Sequence, residues 1–279
     1  MTRTLTAYMP LTTYPEVVSD DAIRTALGFA AELGCELHVS VFSVDIPRMA
    51  SPADGMLIDV QGMVAAAEET SQIQSKRLQD LVAATAGDSV KVEIKVRRVI
   101  MGAALAEATA EARYFDLTLM PWSTSTTATQ DLVHALVFDS GRPVLLVPVA
   151  ARPAPLDHIA IAWDGSRVAA RALGDALPLL APGGRISVLT VTDEKPLSKT
   201  DLAGALAAVL QRRGYAATAI HVAVGGRKIA DALQDAALAE GAALLAMGGF
   251  GHSRLRDFIL GGATVGVLRN LTVPTLLSH

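Results

Sequence analysis

The sequence predicts an α/β protein made of two tandem open parallel five-stranded sheets, Rossmann-like, each with helices on both faces. Three observations predict it. The strand-like segments are continuous apolar runs, as expected of strands covered on both sides, rather than runs that alternate with polar residues. Each run is followed by a segment with helical apolar spacing. The same order of segments occurs twice along 279 residues, a length that suits two ordinary domains.

The second copy is the clearer one. HIAIAWDG (158 to 165) is a short apolar run ending in a turn, and RISVLTVT (185 to 192) is a second run rich in β-branched residues. Between them Val168, Ala172, Leu173, Leu177 and Leu180 fall at helical spacing behind Ser166, a capping residue. Thr200 and Asp201 precede a helix carrying Leu202, Leu206, Val209 and Leu210 on one face. ATAIHVAV reads as the third strand, RKIADALQDAALAEG as a helix ending at Gly241, and AALLAMG, ATVGVLRNL and PTLLS as strand, helix and strand.

The first copy follows the same plan less clearly. AIRTALGFAAELGCELHVSVFSV supplies helix one and strand two. KVEIKVRRVIMGAALAEATAEARYFDLTLMP supplies strand three, helix three and strand four, and RPVLLVPV the last strand. The proline-rich seam VPVAARPAPLD (147 to 157) reads as an interdomain linker, dividing the chain into domains 1–150 and 154–279.

Composition narrows the function classes. Hydrophobic residues make up 51% of the chain and charged ones 19%, with a mean hydropathy of +0.37, which is ample for buried cores. A net charge of −4 gives no basic field for nucleic acid. No window is long and apolar enough to span a bilayer, and no apolar run of signal-peptide length precedes the early prolines, so a cytoplasmic protein is expected. The single cysteine, Cys35, reads as a small buried hydrophobe. His158 and His221 lack metal-ligand spacing, and no Ser, His and Asp set declares a nucleophile.

The most informative stretch is LLAMGGFGHSRLRDFILGGATVGVLRN (244 to 270), with Gly248, Gly249, Gly251, Gly261 and Gly262 in two clusters between strand and helix formers. Glycine serves where a backbone takes positive φ or comes close to another group. The first copy lacks these glycines and is about four residues shorter at this place; it carries the polar run STSTTAT (123 to 129), read as an ordered loop replacing the glycine turn. A requirement of only one copy favours a ligand there. The second cluster leads into a helix N-terminus, whose unpaired N–H donors and partial positive charge suit phosphate. A P-loop and a dinucleotide fingerprint both fit poorly: there is no GxxxxGK[ST], and GGFGHSR lacks the third glycine of GxGxxG.

The spacing G-x2-G-x9-G, filled by Gly248, Gly251 and Gly261, together with Asp164 at the end of the half's first strand, resembles the universal stress protein family. The resemblance spans the second half; over the first half it rests on topology alone. In that family's ATP-binding members it implies that Asp164 contacts the nucleoside, Val191 and Met247 line the base, and Gly248, Gly251 and Gly261 follow the triphosphate, with Mg²⁺ as a companion. His252, Ser253 and Arg254 lie where the anion arrives, and Gly262, Ala263 and Thr264 open the helix behind it. Gly262 stands where the family pattern has Ser or Thr, leaving Thr264 to supply a hydroxyl or to cap the helix.

Alternatives stay open at this stage. Asp164 also fits a simple Asp-Gly turn, Met247 the core, and Arg254 an ion pair with Asp257. The resemblance implies a cytoplasmic stress-response protein whose second domain binds ATP or a related adenine nucleotide for regulation rather than turnover. The alternative is a protein-interaction module of the same family that binds no nucleotide. An ATP-hydrolysing enzyme would need a carboxylate near the glycines, for which Asp257 is the candidate. Because members of that family commonly dimerise through the last strand, the resemblance implies that PVLLVP and PTLLS pair within the chain as a pseudo-dimer, hiding both sheet edges, with a homodimer of the whole chain still open.

Overall fold

The computed structural model describes residues 4–47, 59–123, 126–193, 201–249 and 262–279. The first half runs β1 (Thr6–Thr12), α1 (Asp20–Glu32), β2 (Glu36–Asp45), α2 (Val60–Ala86), β3 (Val92–Ile100), α3 (Ala104–Ala112), β4 (Leu117–Trp122), α4 (Thr127–Asp139) and β5 (Val144–Pro148). The second runs β6 (His158–Ala162), α5 (Arg167–Ala176), a 3₁₀ turn (Leu177–Leu179), β7 (Arg185–Val191), α6 (Leu202–Arg212), β8 (Ala216–Val222), α7 (Ile229–Ala239), β9 (Leu244–Gly248), α8 (Gly262–Arg269) and β10 (Thr275–Ser278).

The caps show why these segments start and stop where they do. The Ser166 hydroxyl accepts from the Ala169 N–H at 3.2 Å and opens α5, while the Asp201 carboxylate accepts from the Gly204 N–H at 2.9 Å and opens α6. Gly241, at φ 71°, ends α7 in a conformation that costs a residue with a Cβ. The run at 123–129 is only partly the loop expected of it. Thr126 and Thr129 form a reciprocal capping box, and Thr127–Thr129 already belong to α4, because threonine hydroxyls satisfy the first free N–H groups of a helix.

Among the described residues, ten strands form one sheet in the order β3-β2-β1-β4-β5-β10-β9-β6-β7-β8. Within each half the pairing is parallel. The halves meet where β5 and β10 pair antiparallel, with Thr275 opposite Leu146 and Leu277 opposite Val144, so the expected pairing of the two last strands is present. Where two separate five-stranded sheets were expected, the strands form one continuous sheet, because the β5–β10 ladder joins the two sets. Both core layers cross this seam: Leu145, Val147, Leu276 and Leu244 lie in one, and Val137, Leu146, Leu277 and Met247 in the other.

The connection expected to act as a linker packs closely. Leu156 lies in the core, and Pro153 sits over Gly28 of α1 so tightly that a Cβ there would overlap the proline ring. Cys35 is buried and donates to the Ala30 carbonyl at 3.4 Å; burial pushes its thiol up to about 11, consistent with an inert packing residue. His158 is buried at the start of β6. Its Nε2 lies 2.9 Å from the Ser187 hydroxyl, and desolvation, aided by Arg185, holds its pKa below the usual histidine range. Such a histidine stays neutral in the core.

Candidate functional site

In a doubly wound sheet the strand order reverses beside the first strand of each half, and a crevice opens there at the carboxyl ends. In the second half this point lies between β6 and β9. Their pairing stops at Ile161 opposite Ala246, while β9 stays paired with β10 as far as Gly248 opposite Ser278, and β6 with β7 as far as Ala162 opposite Leu189. Beyond Ile161 and Ala246 the two inner strands part. Asp164 follows the end of β6 on one side, and Met247 and Gly248 end β9 on the other.

Asp164 is exposed and has a defined local role. Its Oδ1 accepts from the Ser166 N–H at 2.9 Å across Gly165, whose φ of 75° suits only glycine well. The same turn delivers Ser166 to cap α5. The turn reading of Asp164 is therefore realised, and its carboxylate stands at the rim of the crevice. Trp163 is tied to β7 by its N–H to the Leu189 carbonyl at 2.7 Å and by the Thr190 hydroxyl to its own carbonyl at 2.8 Å. Val191, half-buried, ends β7 on the same rim.

Met247 is 3% exposed, with its side chain in the core layer of Leu245 and Leu277, so a contact with a base would come from its backbone. Gly248 has a packing reason to be glycine. A Cβ there would stand 2.6 Å from Val168 Cγ2, 2.8 Å from the Val168 carbonyl carbon and 2.9 Å from the Ala169 nitrogen, inside the first turn of α5. Gly251, His252, Ser253, Arg254 and Gly261, together with Asp257, lie outside the described residues. Gly262 begins α8, Ala263 is half-buried, and Thr264 is buried in the first turn of that helix.

One rim residue was not anticipated. Asp193, just beyond β7, accepts from the Val224 N–H at 2.8 Å and the Gly225 N–H at 2.9 Å. These bonds, that from Gly225 first, hold its carboxyl below the usual aspartate range. It fixes the turn in which Gly225 and Gly226 take φ of 58° and 79°. The signal was the Gly-Gly pair after β8, which calls for a side chain to secure an unusual turn.

The first half builds the corresponding rim differently. Ala7 pairs with Leu117 as Ile159 pairs with Leu244, and Thr6 pairs with Glu36 as His158 pairs with Arg185, so Thr12 stands where Asp164 stands and Phe42 where Val191 stands. The next residue, Thr13, is 2% exposed. Its hydroxyl donates to the Phe42 carbonyl at 2.8 Å and lies 2.6 Å from the Ser71 hydroxyl, which in turn accepts from the Val44 N–H at 2.8 Å. Ser71 belongs to α2, whose 27 residues far exceed the 11 of α6 in the other half. Glu68 adds a bond from the Ile46 N–H at 2.8 Å. The early turns of α2 therefore seal the side of the rim that the second half leaves exposed at Asp164. Replacing Ser71 by alanine strands the Val44 N–H, while the Thr13 hydroxyl keeps its bond to the Phe42 carbonyl; urea unfolding is expected to show a loss of about 1–3 kcal/mol.

Among the described residues, no helix is long and apolar enough to cross a membrane, and no group of three His, Cys, Asp or Glu could hold a metal ion.

The fold defines a doubly wound α/β protein, with Asp164 exposed beyond the β6–β9 ladder at the switch point of its second half. Residues 155–279 match the model of the universal stress protein family, and the second half of the chain is a domain of that family. Among curated proteins, none matches the sequence. The structure is similar to that of a universal stress protein from Archaeoglobus fulgidus, with 18% identity, 97% of each chain covered and a TM-score of 0.70. It is also similar to a functionally unknown protein from Pseudomonas aeruginosa, with 16% identity, 97% of this chain and 92% of that one covered, and a TM-score of 0.53. At these identities the likeness is one of fold, and it extends over both halves.

Proposed function

We propose that the second half, taken as residues 154–279, binds ATP or a related adenine nucleotide at the β6–β9 crevice and that binding regulates rather than turns over the nucleotide. The observation that carries this reading is the opening between β6 and β9, with exposed Asp164 on one lip and the strand that leads into the glycine motif on the other. Membership of residues 155–279 in the universal stress protein family supports the same assignment. Asp164 would meet the nucleoside, Val191 and the Met247 backbone would border the base, and the glycines after Gly248 would follow the phosphates toward the N-terminus of α8. Magnesium would arrive with the triphosphate. The sealed rim of the first half supports one nucleotide per chain, with residues 1–150 as a structural partner.

Calorimetric titration of the full chain with MgATP tests this. The expected result is binding with a stoichiometry of one, weakened roughly tenfold or more in Asp164→Asn, since losing a hydrogen bond to a charged acceptor costs about 1.5–3 kcal/mol. Asparagine keeps an oxygen for the Ser166 N–H, so the turn and the α5 cap should survive. Thr12→Ala, at the matching place in the first half, should leave the affinity unchanged. Absence of heat and of any bound nucleotide in the freshly purified chain would instead favour the protein-interaction reading.

A further inference from the structure

The ladder between β6 and β7 stops short of the end of β7. Its register ends at Ala162 opposite Leu189, and the Trp163 N–H adds one more bond, to the Leu189 carbonyl at 2.7 Å. Successive residues of a strand turn their N–H and C=O groups to opposite sides. Leu189 faces β6, and Thr192 faces β8, where its N–H donates to the Val222 carbonyl at 3.1 Å. Val191, in step with Leu189, therefore turns both its backbone groups toward β6. Among the described residues neither group is bonded: the Trp163 carbonyl, the next acceptor in line for the Val191 N–H, accepts from the Thr190 hydroxyl instead, at 2.8 Å. The first half shows the contrast. There the register runs on to Thr12 opposite Phe42, the place of Val191, and the Thr13 N–H donates to the Phe42 carbonyl at 3.2 Å.

Two side chains flank Val191 and hold it at this angle. Buried Thr190 ties β7 inward to Trp163, and Asp193 ties it outward, its two oxygens accepting from the Val224 N–H at 2.8 Å and the Gly225 N–H at 2.9 Å. We infer that Thr190 and Asp193 are positioning residues for recognition of the adenine ring. Thr190 keeps the Trp163 carbonyl from closing on the Val191 N–H, and Asp193 fixes the end of β7 to the turn after β8, so that Val191 presents one donor and one acceptor to the base. This inference rests on the nucleotide reading above, and it makes that site selective. Adenine carries an acceptor ring nitrogen, N1, beside a donor amine on C6, which a fixed N–H and C=O pair matches. Hypoxanthine has an N–H and a carbonyl at the same two places, so in the same pose each meets a like group and goes unpaired.

Titration of the full chain with MgATP and with MgITP, alongside thermal unfolding, tests it. The two nucleotides share their ribose and triphosphate, so the ratio of their dissociation constants reads the base end alone. The wild type is expected to favour ATP roughly tenfold or more, since the wrong base leaves polar groups without partners. Thr190→Val keeps the shape of the side chain, and Asp193→Ala removes an exposed carboxylate. Each is expected to cut the ratio about fivefold by misplacing Val191. Thr190→Ser, which keeps the hydroxyl, should restore it, and Asp193→Asn, which keeps one acceptor oxygen, should restore part. A purely structural role would weaken both nucleotides together and lower the melting temperature at an unchanged ratio. That outcome, or a wild type that binds ATP and ITP equally, would overturn the inference and leave nucleotide binding standing. No binding of either nucleotide by the wild-type chain would overturn the nucleotide reading, and this one with it.

Discussion

Alanine at Gly248 is expected to destabilise the protein by about 3 kcal/mol, the upper part of the range for inserting a methyl into a packed interior. For a chain of this size that corresponds to a melting temperature lower by roughly 6–12 °C. The reason is the identity of the atoms the methyl meets. One is a side-chain methyl of Val168, which could rotate away, but the others are the Val168 carbonyl carbon and the Ala169 nitrogen at 2.8 and 2.9 Å, which cannot. Relief requires moving the first turn of α5 off β9, and α5 carries Leu173 and Ala176 into the core. Val168→Ala in the same chain should therefore recover only part of the loss. Urea unfolding of the single and double variants measures this, and a Gly248→Ala protein as stable as wild type would mean that α5 yields more easily than its packing implies. For function the consequence is that weakened ATP binding in Gly248→Ala would not by itself place phosphate at Gly248. Asp164→Asn, which leaves this packing intact, is the cleaner probe.

The double reading of Gly248 shows where the sequence was legible. Its lack of a Cβ pointed to a bend, a ligand or close approach, and the structure supplies the close approach, from a helix 80 positions earlier in the chain. The elements of the second half could be read because its strands are continuous apolar runs and its helices start at Ser166 and Asp201. The pairing of β5 with β10 was expected from the family resemblance, with the hiding of two sheet edges as its physical reason. Helix α2 was not legible, since its buried face is Ser71, Ser75, Leu78, Val82 and Ala86, and the first two of these carry no hydrophobic signal. The sealing of the first half was equally hidden. It depends on Thr13 meeting Ser71, 58 positions away, and neither residue is unusual in its own neighbourhood.

Loss of Glu111 should be costly on the other face of the sheet, near 3 kcal/mol for Glu111→Ala, because it takes the acceptor from two buried hydroxyls at about 1–3 kcal/mol each. From α3 it accepts from the Ser40 hydroxyl at 2.7 Å, the Tyr8 hydroxyl at 3.1 Å and Arg97 Nη2 at 3.0 Å. Tyr8 is fully buried, with its ring stacked on Phe115 at 5.2 Å, so alanine at 111 leaves two buried hydroxyls without their acceptor. Burial, the largest influence on Glu111, raises its pKa, but Ser40, Arg97 and Tyr8 together outweigh it and hold the carboxyl below the ordinary 4.5. A depressed folded-state pKa means that the unfolded chain binds the proton first as pH falls. The contribution of Glu111 is then complete at neutral pH and fades as pH drops from about 4.5 through the lower folded value. The stability difference between wild type and Glu111→Gln should accordingly shrink between pH 7 and pH 3 when followed by urea unfolding, because glutamine cannot titrate. A difference that stays constant over that range would mean that the folded and unfolded chains hold the Glu111 proton equally tightly, and one that grows in favour of wild type as pH falls would mean that burial outweighs its three donors.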